Sequence, residues 1–592
     1  MKTVYHTLVI GTGSAGYHAA ERLWMLGVRD IAIITEGRTM GTSRNTGSDK
    51  QTYYKLSLAG GDGDSVREMA QTLYKGGGVM GETALIEAAY STRCFMHLVE
   101  LGVPFPTNEY GEYVGYRTDH DPRSRATSSG PLTSKFMTEA LEKSVLDKGI
   151  PILDGYLAIQ ILTENQQVRG LVVLDTDTHE ILALSCRNII LCTGGAPCVY
   201  ENTVYPESQH GALGLAIEAG ALMANLDQWQ YGIASTEFRW NLSGSYQQVL
   251  PRYISVDENG TEREFLYEAL GEASLGLIFL KGYQWPFDVR KIDGSSKIDL
   301  LVANEITQGR RVFLDFTSNP LSWDVHTFST LSPEAFRYLQ NSGCLFGTPI
   351  RRLEKLNQKA IELYASHGID LSKERLEIAV CAQHINGGVT VDENWESSVK
   401  GLYAAGEAAG TFGVYRPGGS ALNATQVGSL RAAEHIAGLA LQTPEPVSYD
   451  SPTWLSEGTL SPEAVSAEVR RAMSLYASFH RNTREMKKIL DTVQRYLSHL
   501  KDISSSDLPA WYRLRDQLIT TRAVLSAMLC SAGEIGSHGS ALIQDQGTAA
   551  LDGIRRTRTV TSLEGSYIQA VTPIPDGELW FETVFAGQKN NF

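Results

Sequence analysis

Near the start of the chain, short unbroken apolar runs alternate with longer segments whose apolar residues recur three and four apart. This is the pattern of buried strands joined by amphipathic helices. His6-Thr7-Leu8-Val9-Ile10 predicts a buried strand, residues 15–26 a helix ending before Gly27, and residues 31–35 a second strand. The spacing predicts a further helix over 132–148 and a meander of short strands over 155–190. The meander ends in a buried run, Ile189-Ile190-Leu191, that enters the turn Cys192-Thr193-Gly194-Gly195. From about 235 to 365 the alternation gives way to aromatics, short strands and irregular polar stretches, the mark of an inserted domain. The earlier pattern resumes near His384, with another buried strand and glycine turn at 401–407 and a long helix over 420–441. Pro444, Pro446 and Pro452 mark a linker. Two long amphipathic helices, 462–503 and 508–530, and a less regular tail complete the chain.

The first turn carries chemistry. Gly11-Thr12-Gly13-Ser14-Ala15-Gly16 lies between the first strand and the first helix, and Glu36 ends the second strand twenty residues after Gly16. In such a unit Gly11 allows the tight turn and Gly13 lets the backbone approach a pyrophosphate. Gly16 lets helix and strand pack closely, and Glu36 accepts hydrogen bonds from a ribose diol. The helix N-terminus, beginning at Ser14 and Ala15, offers free N–H groups and a partial positive charge to the phosphates. The turn points to a dinucleotide and does not by itself separate FAD from NAD. The following stretch, 40–48, is rich in glycine and hydroxyl residues. Ser43, Thr46 and Gly47 there could hydrogen-bond phosphates or a flavin edge, or the stretch could be a polar connector.

Composition narrows the partners. A chain of 592 residues exceeds one hydrophobic core and allows about two to four domains. The 52 Lys+Arg against 67 Asp+Glu give a net charge of −15, which repels phosphate backbones and anionic lipid, so no nucleic-acid partner is expected. The longest apolar runs fall short of a membrane span, and MKTVYHTLVIGTG lacks the apolar core and cleavage site of an export signal. The seven cysteines are scattered without iron–sulfur or zinc spacing. Reduced core thiols in a cytoplasmic protein are therefore expected, with no metal held by this chain.

Four separated motifs carry a resemblance: the turn at 11–16, Cys192 to Gly195, His384-Ile385-Asn386-Gly387-Gly388, and the strand at 401–407 followed by Arg416-Pro417-Gly418-Gly419-Ser420-Ala421-Leu422. In this order they resemble the flavoprotein subunits of succinate dehydrogenase and fumarate reductase. Relatives of those include L-aspartate oxidase, 3-ketosteroid dehydrogenases and the larger, flavin-bearing α chain of adenylylsulfate reductase. The resemblance covers nearly the whole chain and implies an α/β fold. A Rossmann-like FAD-binding domain in two parts (1–234 and 366–445) would be interrupted by an α+β capping domain (235–365). A C-terminal helical domain and tail (446–592) would follow. It implies that Gly11, Gly13, Gly16 and Glu36 hold the ADP half of FAD with Thr193 and Gly194 near it. Glu407 would meet the ribityl chain, and Ser420, Ala421 and Leu422 would border the flavin. A helix starting near Ser420 would also aim its positive end at the flavin edge that becomes negative on reduction, worth about 0.3–2 kcal/mol. Family members that tether FAD do so through a histidine in the hydroxyl-rich loop. Residues 40–52 contain none, so the FAD is expected to be non-covalent.

The family grips a substrate carboxylate with a histidine and an arginine at the positions of His384 and Arg416. Arginine suits this because its fork donates two parallel hydrogen bonds. Two other positions depart from the family. Gly232 replaces a second substrate histidine, and Leu300 falls where the proton-donating arginine of fumarate reduction belongs. The late signature is reduced to Glu534-Ile535-Gly536-Ser537-His538, without its arginine. Succinate–fumarate interconversion is therefore not expected. Hydride transfer at flavin N5 needs the reacting carbon about 3–3.5 Å away and an acid or base on the opposite face. Tyr231, Arg252 and His384 are the candidates for that second role, with His210 a further one. The leading expectation is an FAD-dependent dehydrogenase or reductase acting on a small carboxylate or enone. The alternative is a flavoprotein component of an electron-transfer complex, like the α chain of adenylylsulfate reductase, with an electron-transfer or iron–sulfur partner protein. A third reading is a flavin-binding scaffold that has lost the chemistry.

Overall fold

Thr7–Ile10 (β1), Ser14–Met25 (α1) and Ile31–Thr35 (β2) form where the apolar runs place them, and every residue of both strands is buried. The computed structural model describes residues 2–576 apart from 62, 322, 324–326, 450–457 and 546–552. After α1 the chain turns at Gly27, whose φ of +94° suits a residue without a Cβ. Further along lie Gly81–Glu100 (α2), Ile152–Asp154 (β3), Asn188–Leu191 (β4), Trp229–Ser235 (β5) and Arg252–Val256 (β6). Arg311–Asp315 (β7), Leu376–Ile385 (β8), Leu402–Ala404 (β9) and Ser420–Gly438 (α3) follow.

Strands far apart in the chain build one parallel sheet in the order β9-β4-β1-β2-β3. Parallel strands buried on both faces explain why these segments read as unbroken apolar runs. The helix α3 closes over α1: Ser429 Oγ donates to the Ala15 carbonyl and Gln426 Nε2 to Ser14 Oγ, both at 2.8 Å. The two halves of the fold thus meet where the first glycine turn begins. The expected meander is an antiparallel three-stranded sheet of Tyr156–Glu164, Gln167–Asp175 and Ile181–Ser185.

The inserted segment builds an antiparallel six-stranded sheet. Its order is Trp240–Asn241, β5, β8, β7, β6, Glu262–Arg263. The sheet draws β5 and β8 from either side of the limits expected at 235 and 365, so the cap grows out of strands that begin in the nucleotide half. The β5–β8 ladder carries a bulge between Gln230 and Tyr231, which re-aims the side chains beside the site. The fold is α/β.

The expected single helix over 462–503 is instead two, Pro462–Tyr476 (α4) and Thr483–Ser498 (α5). Between them the buried guanidinium of Arg481 donates to the carbonyls of Ser478 and Asp227 at 3.0 and 2.7 Å. Asn482 then caps α5 by accepting from the N–H groups of Arg484 and Glu485. Leu508–Glu534 (α6) is a single long helix. The tail contributes a hairpin, Thr557–Ser562 with Gly565–Ala570, that pairs with Met223–Ala224. Of the linker prolines, Pro444 and Pro446 lie outside helices and strands and Pro452 lies outside the described residues. Among the described residues no helix is long and apolar enough to cross a membrane.

Candidate active site

The first glycine turn opens into a cavity of about 660 Å³ that runs from the C-terminal ends of β1 and β2 to the cap, within the range of about 300–1,000 Å³ usual for ligand sites. Gly11, Gly13, Ser14, Ala15, Glu36, Ser43, Thr46 and Gly47 line it from the first half of the nucleotide domain. Thr193, Gly194, Glu407, Ala421 and Leu422 line it from later segments. Gly16 and Ser420 do not. A Cβ on Gly16 would lie 1.9 Å from the Gly11 carbonyl oxygen, so its work is helix–strand packing. The Ser420 hydroxyl caps the Pro417 carbonyl at 2.9 Å, below the floor of the cavity.

The floor suits a pyrophosphate. Gly11 has φ +109°, and a Cβ there would strike the Cys192 carbonyl oxygen at 2.5 Å. Gly13, the N-cap residue of α1, presents bare backbone, and a Cβ on it would meet only Ser43 Oγ, at 3.2 Å. The hydroxyl-rich loop is pinned around it: Ser14 N–H donates to Ser43 Oγ at 3.3 Å, and Thr46 Oγ1 donates to the Val204 carbonyl at 2.7 Å. Thr193 Oγ1 is buried on the cavity wall with no hydrogen-bond partner. The N-terminus of α1, an unmet hydroxyl and the bare backbone of Gly13 on the cavity fit the ADP and ribityl parts of FAD. Glu36 pairs with Arg513 of α6 at 2.6 and 3.1 Å, so α6 reaches the end of the cavity beside β2. Nothing near either residue in the chain signals this contact. His210 lines the same end, its pKa lowered chiefly by burial.

At the other end β5 and β8 set Gln230 opposite His384. Arg416 donates from Nη2 to Gln230 Oε1 at 2.6 Å, and its Nε is buried without a partner. Burial lowers the guanidinium to about 10, so it stays charged at neutral pH. His384 Nδ1 lies 3.0 Å from Asn386 Oδ1, and Nε2 has no hydrogen-bond partner, with the Glu407 carboxyl 3.8 Å away. Since Asn386 Nδ2 is turned toward the Val414 carbonyl, its oxygen faces the ring and Nδ1 carries the proton. Burial, then the nearby Arg416, holds His384 well below its ordinary pKa, leaving a neutral ring whose Nε2 accepts. Arg416 is thus the cation of this pair, and His384 the acceptor. Glu407 accepts from Tyr205 and from the Ile385 N–H at 3.0 Å, and burial pushes it up to about 7.

Two expected catalytic residues lie elsewhere. Tyr231 is buried behind β5, its hydroxyl 2.8 Å from that of Tyr200 and its ring against Phe479. Alternation along the strand gives the cavity to its neighbour Gln230, which the sequence pattern did not single out. Arg252 is held by Glu264 at 2.7 Å and does not line the cavity.

Beneath Arg416, a second cavity about the size of one water molecule is bordered by Glu87 of α2, Phe412 and Ser420. Thr411 Oγ1 donates to the Glu87 carboxyl at 2.9 Å, and burial pushes that carboxyl up to about 8. In the unfolded chain it titrates near 4.3. Between those values the unfolded state gives up its proton and the folded state keeps it, so stability falls as pH rises. Glu87→Gln removes this slope. Its melting temperature relative to wild type is expected to climb between pH 5 and about pH 8, by up to about 1.4 kcal/mol of stability per pH unit, and to level off above that. Parallel melting curves would show that the carboxyl ionises freely.

A family profile described as "FAD binding domain" matches residues 6–422. A fumarate reductase (CoM/CoB) subunit of Methanothermobacter marburgensis is 25% identical over 90% of this chain and 93% of its own length. An L-aspartate oxidase of Agrobacterium fabrum is 26% identical over 73% of each chain. Among solved structures, "Quinol-Fumarate Reductase with Menaquinol Molecules" superposes with a TM-score of 0.73 at 18% identity, covering 98% of this chain and 99% of the other.

Proposed function

Because this chain belongs to the FAD binding domain family and is an FAD-dependent oxidoreductase, we propose that it moves a hydride between flavin N5 and a small organic substrate, a carboxylate or an enone. One observation supports this reading most: the charged, buried Arg416, with an unmet Nε and a Gln230 partner that aims it, lines the same cavity as the phosphate-holding turn. Arg416 binds the substrate's carboxylate or carbonyl oxygen through charge-assisted hydrogen bonds. Gln230 fixes the guanidinium plane. His384 Nε2 accepts a hydrogen bond on the same wall; in the direction of substrate oxidation it takes the proton released beside the hydride, and in reduction of a C=C bond the proton comes from solvent.

Succinate and fumarate are poor substrates in this reading. Gly232 offers no side chain, and Leu300 lies in the helix Ser296–Thr307, away from the cavity lining. With no histidine in residues 40–52, FAD is held non-covalently.

A second reading draws support from the M. marburgensis relative, which is named as one component of a larger enzyme and is matched over most of its length: this chain would pass electrons to a partner protein. The deciding experiment reduces the FAD-loaded protein and offers monocarboxylic acids with an activated C=C bond, and enones, one at a time. Reoxidation of the flavin by one of them is expected. Failure of the whole panel, with reoxidation by an iron–sulfur protein, would favour the electron-transfer reading instead.

A further inference from the structure

Gly232 is filled from across the cap. Trp285 lies along β5, its Nε1–H donating to the Ile233 carbonyl at 3.2 Å, while the Phe287 N–H donates to the Tyr231 carbonyl at 2.8 Å. These two bonds bracket position 232 and press the indole onto its backbone. A Cβ on Gly232 would lie 3.0 Å from indole Cε2 and Cζ2, well inside the roughly 3.5–4.0 Å of carbon–carbon contact. Any side chain there would displace the ring. The glycine therefore seats an aromatic wall, and Trp285 lines the cavity together with Gln230. Two residues along the strand from Gln230, position 232 is about 7 Å away, roughly one ring-width beyond the oxygen that aims Arg416.

The rest of the cap's lining agrees in chemistry. Among the described residues it offers Tyr283 and Tyr338 beside Trp285, with Asn241, Ser243 and Gln248, and no Lys, Arg, His, Asp or Glu. Outside the cap, besides Arg416, His210 and His384, the basic lining residues are Lys50, Arg117 and His120, which share their stretches with Asp49 and Asp119; burial lowers the His120 pKa. A second carboxylate directed at the cap would find no charge to meet it, whereas a flat neutral group would stack.

We propose that this site takes a monocarboxylate whose far end is a flat, uncharged, unsaturated or aromatic group resting on Trp285. This deepens the reading above and depends on Arg416 holding the carboxylate.

The test uses the FAD-loaded protein and three probes, cinnamate, crotonate and fumarate, each titrated while the flavin absorption difference spectrum is recorded. Cinnamate is expected to bind about tenfold or more tightly than crotonate, and fumarate no more tightly than crotonate. In Trp285→Ala, and in Gly232→Ala where the indole is pushed aside, the cinnamate-to-crotonate ratio collapses toward one. Trp285→Phe keeps part of it. FAD content, read from the absorbance ratio, verifies that each variant is folded and loaded. Equal affinities in wild type, or a ratio unchanged in both alanine variants, overturns the aromatic wall and leaves the carboxylate reading standing. If Arg416→Gln binds both monocarboxylates as wild type does, the carboxylate reading itself fails. No spectral change with any probe overturns both.

Discussion

Arg416→Gln lowers kcat/KM for a carboxylate substrate by two to three orders of magnitude while the protein remains yellow. Burial lowers the Arg416 guanidinium only to about 10, so it is a cation at neutral pH, and in the proposed mechanism it meets the substrate as one. Removing one partner of a desolvated charge-assisted pair costs about 3–4 kcal/mol, and each 1.4 kcal/mol is a factor of ten in rate. Glutamine keeps polarity and approximate volume, so the loss reports on charge and fork geometry rather than on a cavity. FAD should stay bound, because the glycine turn and α3 hold it from other segments. If the grip acts equally on ground and transition states, the loss falls on KM. If it tightens only as charge develops, kcat falls too. Unchanged kcat/KM with full FAD content would remove Arg416 from the mechanism.

The second large effect is expected at Gly13. Gly13→Ala raises the Kd for FAD about 100-fold, close to 2.7 kcal/mol, while the melting temperature of the apoprotein moves by less than about 1 kcal/mol of stability permits. The extra methyl meets only Ser43 Oγ, at 3.2 Å, a side chain able to yield, yet it stands where the pyrophosphate must approach the backbone. Gly16→Ala is the contrast. Its Cβ would sit 1.9 Å from the Gly11 carbonyl oxygen, so that variant should lose the packing of α1 and melt far lower. Titration of FAD into each apoprotein by flavin fluorescence, alongside thermal melts, separates the two. Wild-type FAD affinity in Gly13→Ala, or a melt as low as that of Gly16→Ala, would show that the turn holds no phosphate.

Much of the site was legible locally. The β1 turn, the N-terminus of α3 and the strand β9 each rest on short-range periodicity, with glycines placed where backbone must come close. The break between α4 and α5 was hidden, because an amphipathic pattern continues across 477–482. The Asn482 cap is a local signal for the start of α5, and the bond from Arg481 to the distant Asp227 carbonyl holds the break in place. That Gln230 and not the candidate Tyr231 lines the cavity was hidden for a related reason. Period-two alternation shows that neighbours face opposite ways but not which one faces the cavity, and the bulge between them adds a local re-aiming.

By itself, then, the sequence determined the glycine turn between strand and helix and the α/β class, which follow from sterics and hydrogen bonding within a few residues. The pair His384 and Arg416 came from the resemblance of their motifs to a family. The tertiary structure alone decided that Arg513 reaches Glu36 across 477 positions, that Gln230 rather than Tyr231 aims the guanidinium, and that Trp285 fills the place left by Gly232. Those contacts join segments whose approach is set by how whole sheets and helices pack, and side-chain packing of that kind leaves no period in the chain to be read.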